Sequence, residues 1–155
     1  MSADLGRDKT PARISGMFDA IAHRYDLLNA VLSAGLDRRW RRRAIRALHL
    51  SDEATVLDLC TGTADLAFAA LATGDRRRVI GLDFARRMLE RAAEKRGRHS
   101  GGTRLALVQG DATRLPLARD SVDAAMVAFG IRNVARPQDT FADVHRCLVP
   151  GGRFV

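Results

Sequence analysis

The stretch LDLCTGTADLA, from Leu57 to Ala67, decides the fold of this chain. Its first residues continue an apolar run that begins at Thr55 and has the length of a buried strand. A turn of small residues follows, and apolar residues at helical spacing start directly after it. The stretch therefore predicts a strand, a tight turn and a helix, with Gly62 as the single glycine of the turn.

The same alternation continues to the end of the chain. Strands that alternate with crossover helices form a parallel sheet covered on both faces, which is the α/β class. The predicted strands span residues 55–60, 78–83, 103–111 and 121–130, and the predicted helices span 63–73, 85–96 and 137–149.

Two further helices are predicted before the first strand. Apolar residues recur at steps of three and four from Ile14 to Tyr25, Gly35 interrupts the pattern, and a second helix starts near Asp37, a suitable N-cap. One side of this second helix is apolar, with Trp40, Ala44, Ile45 and Leu48. Another side carries Arg38, Arg42 and Arg46, which is typical of a solvated helix face but also suits phosphate groups.

Composition and charge narrow the class of protein. The 155 residues suit one domain, and 46% hydrophobic with 28% charged residues is typical of a globular chain. No apolar run approaches the roughly 18–20 residues of a membrane span, and no stretch has the pattern of a secretory signal. Cys60 and Cys147 lack the spacing of metal ligands, so we predict no metal site and a cytoplasmic protein. Cys60 ends an apolar run, which favours a small buried residue over a reactive thiol.

The predicted organisation is a flexible segment at 1–12 followed by one domain at 13–155, with a helical lid at 13–50 and the sheet core at 55–155. Pro150, Gly151 and Gly152 predict a sharp stop after the last helix, and residues 153–155 the start of a fifth strand. Because an open sheet would leave that strand unpaired on one side, we expect C-terminal strands of the domain to be missing from this chain.

Three aspartates lie at or after the ends of predicted strands: Asp58, Asp83 and Asp111. Ligands of open parallel sheets bind beyond the carboxyl ends of the strands. Asp83 follows the glycine turn by about twenty residues, where such folds place an acid that binds ribose hydroxyls. Any one of the three could instead cap a helix or stabilise a loop, but three on one edge favour a binding site.

The chemistry of this edge favours a cationic nucleoside over a phosphorylated one. A dinucleotide site uses G-x-G-x-x-G so that backbone can approach a pyrophosphate, and this turn supplies Gly62 alone. S-adenosylmethionine has a ribose diol, an adenine and a sulfonium, and no phosphate. We expect Gly62 to allow its close approach and Asp83 to hold the ribose. Asp111 and the Ala112 backbone would contact the adenine, and the Thr63 hydroxyl would bind the polar tail or cap the helix.

Several segments resemble the class I S-adenosylmethionine-dependent methyltransferases, and within them the quinone C-methyltransferases of menaquinone and ubiquinone biosynthesis. The turn VLDLCTGTADLA (56–67), the acidic segment GLDFARRML (81–89) and CLVPGGRF (147–154) are similar to segments of this family. RYDLLN (24–29) and FGIRNV (129–134) are more specific, because generic methyltransferases carry neither. The resemblance extends over nearly the whole chain.

The resemblance implies an S-adenosylmethionine-dependent enzyme with a Rossmann-like sheet that converts a demethylmenaquinol to menaquinol by C-methylation. It implies cofactor contacts at Thr63, Asp83, Asp111 and Ala112. Ala128 stands where some members have a contacting serine, and Ala64 where members often have glycine.

The resemblance also implies catalytic residues. Arg132 would stabilise a phenolate or polarise the water that accepts its proton, and Asn133 would orient the ring oxygen or the cofactor. Tyr25 and Asp26 would close over the site. The structural alternatives are a hydrogen-bonded loop pair for Arg132 and Asn133, and core packing for Tyr25.

Partners follow from the implied substrate. Its isoprenoid tail partitions into membranes, so the arginine-bearing N-terminal helices would rest on the inner face of the cell membrane. A net charge of +8 favours the rival of an RNA or protein methyltransferase, but aromatic residues make up only 5% of the chain, so we expect no nucleic-acid partner. A non-catalytic cofactor-binding fragment is the other rival. The ring type of the quinol, its tail length and the oligomeric state stay open.

Overall fold

The computed structural model of the protein describes residues 36–155. As the apolar spacing predicts, helices and strands alternate, except that the fourth strand follows the third with a loop and no helix between them. The helices are α1 (Leu36–Leu48), α2 (Asp65–Leu71), α3 (Arg86–Arg96) and α4 (Pro137–Cys147), with short 3-10 turns at Gly102–Arg104 and Gly130–Asn133. The strands are β1 (Thr55–Leu59), β2 (Arg78–Asp83), β3 (Leu105–Gln109), β4 (Val122–Val127) and β5 (Leu148–Phe154).

All five strands are parallel and lie in the order β3-β2-β1-β4-β5, which confirms the predicted α/β sheet. The chain builds outward from β1 to β2 and β3, and then returns to place β4 on the other side of β1. Leu59 at the end of β1 pairs with Leu82 on one side and Val127 on the other. The crevice between β1 and β4 is therefore the switch point, where open α/β sheets bind ligands.

The sheet separates two apolar clusters because successive strand residues point to opposite faces. Val56, Val79 and Met126 belong to the cluster with α1 and α2, together with Ala92 of α3. Leu57, Leu82 and Ala125 belong to the cluster with α4 on the other face. Asp58 follows Leu57 and so shares the side of the sheet that α1 covers.

One buried arginine ties the loops at the amino-terminal ends of the strands. Arg77 is 3% exposed, and its guanidinium donates to the carbonyl oxygens of Ser51 at 2.8 Å and Ala70 at 3.0 Å. It also donates to the hydroxyl of Thr73. These bonds join the end of α2 to the loop before β1, and so hold β1 and α2 in one rigid unit at the edge opposite the crevice.

The expected stop at Pro150, Gly151 and Gly152 is wrong. β5 already begins at Leu148 and runs through all three residues, and α4 ends at Cys147. The pairing of β5 with β4 shifts between Val122 and Ala124, and Gly151 in that segment has a φ of 81°. Among the described strands, β5 has β4 on one side and none on the other. Proline is compatible with such an irregular edge strand, because its missing N–H removes no ladder bond on the outer side.

Element boundaries otherwise differ from the predictions by a few residues. The predicted helix 63–73 occupies 65–71, because a left-handed Ala64 precedes it, and the predicted strand 103–111 is shortened by a 3-10 turn. The first predicted helix, with the segment 1–12 and most of the lid at 13–50, lies outside the described residues. The division into lid and core stays a prediction.

Candidate functional site

The turn after β1 is held in an unusual backbone conformation. Cys60, Gly62 and Ala64 have positive φ values of 52°, 56° and 66°. The N–H of Thr61 donates to the Leu82 carbonyl at 3.0 Å, which anchors the turn to β2. Glycine adopts this region freely, whereas alanine and cysteine are strained there, so the small residues of this stretch serve a tight turn directly beyond the sheet.

Asp58 lies at the base of this turn. It is 1% exposed, and the Thr61 hydroxyl donates to its Oδ2 at 2.5 Å. Burial raises the pKa of Asp58 from 3.8 to about 7, although the Thr61 hydrogen bond acts in the opposite direction. The carboxyl group of Asp58 therefore changes its charge near neutral pH.

Asp83 is bound to the same turn from the neighbouring strand. Its Oδ2 accepts from the N–H of Gly62 at 2.8 Å, and its Oδ1 accepts from the N–H of Ala85 at 2.9 Å. The side chain is 6% exposed. Asp83 thus joins the end of β2 to the turn after β1, and its ribose contact stays a prediction. The sequence predicted the ribose contact but not this link to the turn.

Thr63 does not cap the following helix. The N-cap of α2 is Ala64, which makes no side-chain capping bond, and the Thr63 Oγ1 accepts from Lys95 Nζ at 3.2 Å instead. Lys95 also forms an ion pair with Asp65. Ala64, and not Thr63, therefore occupies the N-cap position, and contact of the Thr63 hydroxyl with a ligand stays a prediction.

A cavity of about 290 Å³ opens between α1 and the carboxyl ends of β1 and β4. It contains four of the predicted cofactor residues: Asp58, Gly62, Thr63 and Ala128. The other described residues that line it are Asp37, Trp40, Arg41, Ala44, Cys60, Thr61, Asp65, Leu66, Val127 and Phe129. Among these described residues, Asp37, Asp58 and Asp65 offer carboxyl groups and Arg41 a guanidinium, so this wall suits a ligand with positive groups.

The guanidinium of Arg41 is already paired. It lies 2.8 Å from Asp37 in its own helix and 3.0 Å from Asp65 in α2. This bridge fastens α1 to the start of α2 across the cavity. Asp37 was predicted as an N-cap, but Asp37 and the residue before it are already helical, and its carboxylate serves the bridge instead.

The third aspartate of the rim is placed differently. Asp111 is exposed, and its Oδ1 accepts from the N–H of Thr113 at 2.8 Å. Ala112 is 6% exposed and packs in the apolar cluster on the α4 face. Neither residue lines the cavity. The adenine contacts of Asp111 and Ala112 stay predictions. The loop that carries both residues is joined to β2, because the N–H of Gly110 donates to the Asp83 carbonyl at 3.0 Å.

The thiol of Cys60 lies close enough to the three aspartates of the rim for their charges to affect its pKa. The residue is half-buried in the cavity wall. Burial, together with the charges of Asp83, Asp58 and Asp111, raises the pKa of its thiol to about 12. The thiol is protonated at neutral pH, which agrees with the unreactive residue expected from the sequence.

The predicted catalytic residues lie beyond the end of β4. Arg132 is exposed and Asn133 half-buried, both in the 3-10 turn Gly130–Asn133, and neither lines the cavity. Tyr25 and Asp26 lie outside the described residues. The structure thus places Arg132 and Asn133 on the loop that carries Ala128 and Phe129, and their catalytic roles stay predictions.

The sequence predicts α1 as part of the helical lid at 13–50 but names none of its residues as part of the site. Trp40, predicted on the apolar side of the helix, is 47% exposed and lies at the cavity with Arg41. The alternation of arginine and apolar residues in α1 shows an amphipathic helix, but no local pattern shows where that helix docks. The one sequence signal for this part of the site is the spacing of four residues between Asp37 and Arg41, which suits an ion pair within a helix.

Comparisons with known proteins agree on one family. The family model described as "ubiE/COQ5 methyltransferase family" matches residues 7–155. The ubiquinone/menaquinone biosynthesis C-methyltransferase UbiE of Syntrophotalea carbinolica is 44% identical over 150 residues, which are 97% of this chain and 60% of that protein. The demethylmenaquinone methyltransferase of Desulfitobacterium hafniense is 36% identical over 97% of this chain and 59% of its own length. The chain thus spans about 60% of the length of these curated relatives.

Solved structures share the fold at lower identity. A SAM-dependent methyltransferase from Aquifex aeolicus superposes with a TM-score of 0.63 at 22% identity, over 71% of this chain and 58% of its own. The [4+2]-cyclase SpnF superposes with a TM-score of 0.81 at 20% identity, over 92% of this chain and 58% of its own. A methyltransferase and a cyclase on one fold show that function has to be argued from the site.

Proposed function

Because the chain belongs to the ubiE/COQ5 methyltransferase family, we propose that it binds S-adenosylmethionine and serves the C-methylation of a demethylmenaquinol to menaquinol. The observation that carries this proposal is the acidic cavity at the switch point, whose described wall presents the carboxyl groups of Asp37, Asp58 and Asp65 beside the guanidinium of Arg41, while Lys95 pairs with Asp65 from outside this wall. Such a wall suits the sulfonium and ammonium groups of this cofactor and disfavours phosphates.

The described residues fit the cofactor. S-adenosylmethionine supplies an electrophilic methyl group when it is bound. Gly62 would allow its close approach to the turn, Asp58 and Thr63 would contact its polar tail, and Asp83 would accept the ribose hydroxyls. Asp111 and the Ala112 backbone would receive the adenine on the adjacent rim.

The loop after β4 would serve the acceptor. A hydroquinone becomes more nucleophilic at the ring carbon when a phenolic proton leaves. Arg132 would stabilise the resulting phenolate with its positive charge, and Asn133 would orient a ring oxygen. Tyr25 would exclude water from above, as part of a lid. Each of these roles is proposed because the segment that contains the residue resembles the corresponding segment of the family.

Two measurements test the proposal. Calorimetry should detect binding of S-adenosylmethionine to the chain, but not of NAD or ATP. Mass spectrometry with labelled methyl donor should then detect methylation of a demethylmenaquinol in preference to a demethylated benzoquinol. Uptake of NAD or ATP without uptake of the methyl donor would reject the proposal.

The Arg132→Ala variant tests the assigned role of the loop. We expect the rate of methyl transfer to fall by about 100-fold, which is the range for a lost general acid–base or charge-stabilising group. The affinity for the methyl donor should stay within about twofold of the wild-type value. Loss of donor affinity instead would show that Arg132 belongs to the cofactor site.

An RNA methyltransferase is the second candidate, and one observation favours it. Arg39, Arg42, Arg43 and Arg46 form an exposed stripe along α1 that lines a surface groove of about 620 Å³. Arginine clusters of this kind also bind nucleic-acid phosphates. Salt-sensitive binding of RNA, together with methylation of RNA and none of quinols, would establish this candidate in place of the first.

We further propose that the arginine stripe rests on the inner face of the cell membrane, close to the tailed substrate, and that the protein is otherwise cytoplasmic. Across residues 36–155, none of the helices combines the length and the apolar character that crossing a bilayer requires. An amphipathic helix with arginines on its polar face is instead suited to lie against anionic headgroups.

Liposome flotation tests the stripe. Vesicles with anionic lipid should carry the wild-type chain at low salt and release it at high salt. Replacing Arg39, Arg42, Arg43 and Arg46 with Gln should abolish flotation. The matched control replaces four exposed arginines elsewhere, Arg98, Arg114, Arg119 and Arg153, and removes the same charge from the net +8. Equal loss in both variants would show a general charge effect and no membrane face on α1.

A further inference from the structure

Two aromatic side chains stand at the mouth of the acidic cavity. Trp40 comes from α1 and Phe129 from the loop after β4, and their rings meet edge to face with centroids 5.8 Å apart. Trp40 is 47% and Phe129 58% exposed, and both line the cavity that contains Gly62 and Thr63. The cavity therefore has one polar wall and one aromatic wall.

The backbone of Phe129 is strained. Its φ is 61°, in the left-handed region that bulky residues rarely adopt. The exposed ring gains little burial to compensate for that strain. Strain of this kind persists where the surrounding structure imposes it, and it concentrates at functional sites.

Gly130 imposes the conformation. A Cβ atom on Gly130 would lie 2.2 Å from the Cβ of Cys60, so the loop is pressed directly against the turn after β1. The N–H of Gly130 also donates to the Ala128 carbonyl at 2.7 Å. This close approach fixes the direction in which Phe129 leaves the loop, toward Trp40 across the cavity mouth.

We propose that Trp40 and Phe129 hold the planar ring of the methyl acceptor at the mouth of the cavity. This inference rests on the proposed function, and it names the residues that position the substrate. An edge-to-face pair leaves ring surface open for a further planar partner, and aromatic contacts are strong between rigid rings. The fused ring of the acceptor is planar and largely apolar, which matches the aromatic wall, and the methyl donor would bind at the polar wall beside it.

The test uses Phe129→Asn with a matched control. Asparagine tolerates left-handed φ values, so this variant removes the ring and does not add strain. Phe129→Tyr keeps an aromatic ring at the same place. The control is Phe141→Asn on α4, where the phenylalanine is 46% exposed and contacts Phe154 outside the cavity.

The readout is the fluorescence of Trp40, the single tryptophan of the chain, during titration with 1,4-naphthoquinone. We expect saturable quenching in the wild type and in Phe129→Tyr. The apparent Kd of Phe129→Asn should rise about tenfold, the scale of a lost aromatic contact, while its melting temperature stays at or above that of the wild type. Phe141→Asn should keep the wild-type Kd.

An unchanged Kd in Phe129→Asn, or an equal rise in Phe141→Asn, would overturn the inference. Calorimetry with S-adenosylmethionine on the same samples separates the two proposals. Donor binding together with an unaffected naphthoquinone titration would overturn the aromatic site alone. Absent donor binding together with a Phe129-dependent titration would overturn the proposed function and leave the ring site standing.

Discussion

At the scale of single residues, the most consequential group of the site is the carboxyl of Asp58. It is buried beneath α1, and burial raises its pKa to about 7. An acid with a raised pKa in the folded state binds more protons there than in the unfolded chain. Folding stability is therefore lost as pH rises from the unfolded value near 3.8 toward the folded value near 7, and it is constant above that.

The variant Asp58→Asn should remove this dependence. Asparagine keeps an acceptor for the Thr61 hydroxyl but has no charge to bury. Its stability relative to the wild type should rise between pH 4 and pH 7 by up to about 4 kcal/mol, at about 1.4 kcal/mol per pH unit. Urea denaturation at a series of pH values measures the difference.

The control for this prediction is Asp120→Asn, at an exposed residue in the turn before β4. Its stability should follow the wild-type curve across the same pH range. If Asp58→Asn also followed the wild-type curve, then the buried carboxyl would not be the group that titrates.

At the scale of elements, the turn after β1 and the loop after β4 are coupled by direct contact. Gly130 lies against Cys60, and Asp83 at the end of β2 holds the N–H of Gly62. Three strand ends are thereby locked around one crevice. A change in any of these loops should reach the cavity through backbone displacement.

Gly130→Ala should therefore damage both stability and binding. The added methyl group would overlap Cys60, and the loop would have to move outward. We expect a loss of about 1–3 kcal/mol of unfolding free energy, the usual cost of overpacking, and weaker binding of the methyl donor. Urea denaturation and calorimetry measure these two effects.

Gly97→Ala provides the comparison. A Cβ at Gly97 meets only ordinary contacts, at 3.7 Å from the Glu94 carbonyl, and the φ of −61° suits alanine. Its stability should stay within about 0.5 kcal/mol of the wild type. A similar loss in both variants would mean that the approach of Gly130 to the turn is not special.

At the scale of the whole molecule, the parallel sheet divides the apolar core in two. Val79 packs in the cluster on the side of α1 and α2, whereas Val144 of α4 packs on the other side. Each is 1% exposed. The sheet backbone separates the two clusters, so a cavity made on one face has no shared neighbours with a cavity on the other.

Val79→Ala and Val144→Ala should for this reason be additive. Each should cost about 2 kcal/mol, from the lost apolar contact and the cavity left behind. The free energy of unfolding of the double variant should equal the sum within about 0.5 kcal/mol. A larger coupling in a double-mutant cycle would show that strain passes through the sheet.

The sequence by itself determined the order and type of most elements. Alternating apolar runs and helical spacings depend on neighbouring residues along the chain, so they predicted β1 to β4 and the helices between them to within a few residues. The end of α4 and the start of β5 were misjudged, because proline and glycine normally stop an element and the irregular pairing of β5 accommodates them. The acidic residues at the strand ends were also readable, since parallel strands bring their carboxyl ends to one edge.

Only the tertiary structure decided how the site is closed. The docking of α1 brings Arg41 to Asp65 and Trp40 to Phe129, and these contacts join residues far apart in the chain. The bond from the Gly62 N–H to Asp83, the half-buried position of Cys60 and the left-handed Phe129 depend likewise on segments packed from elsewhere. Local spacing carries no information on such pairings, because their energy arises only when the sheet has assembled and the loops beyond it meet.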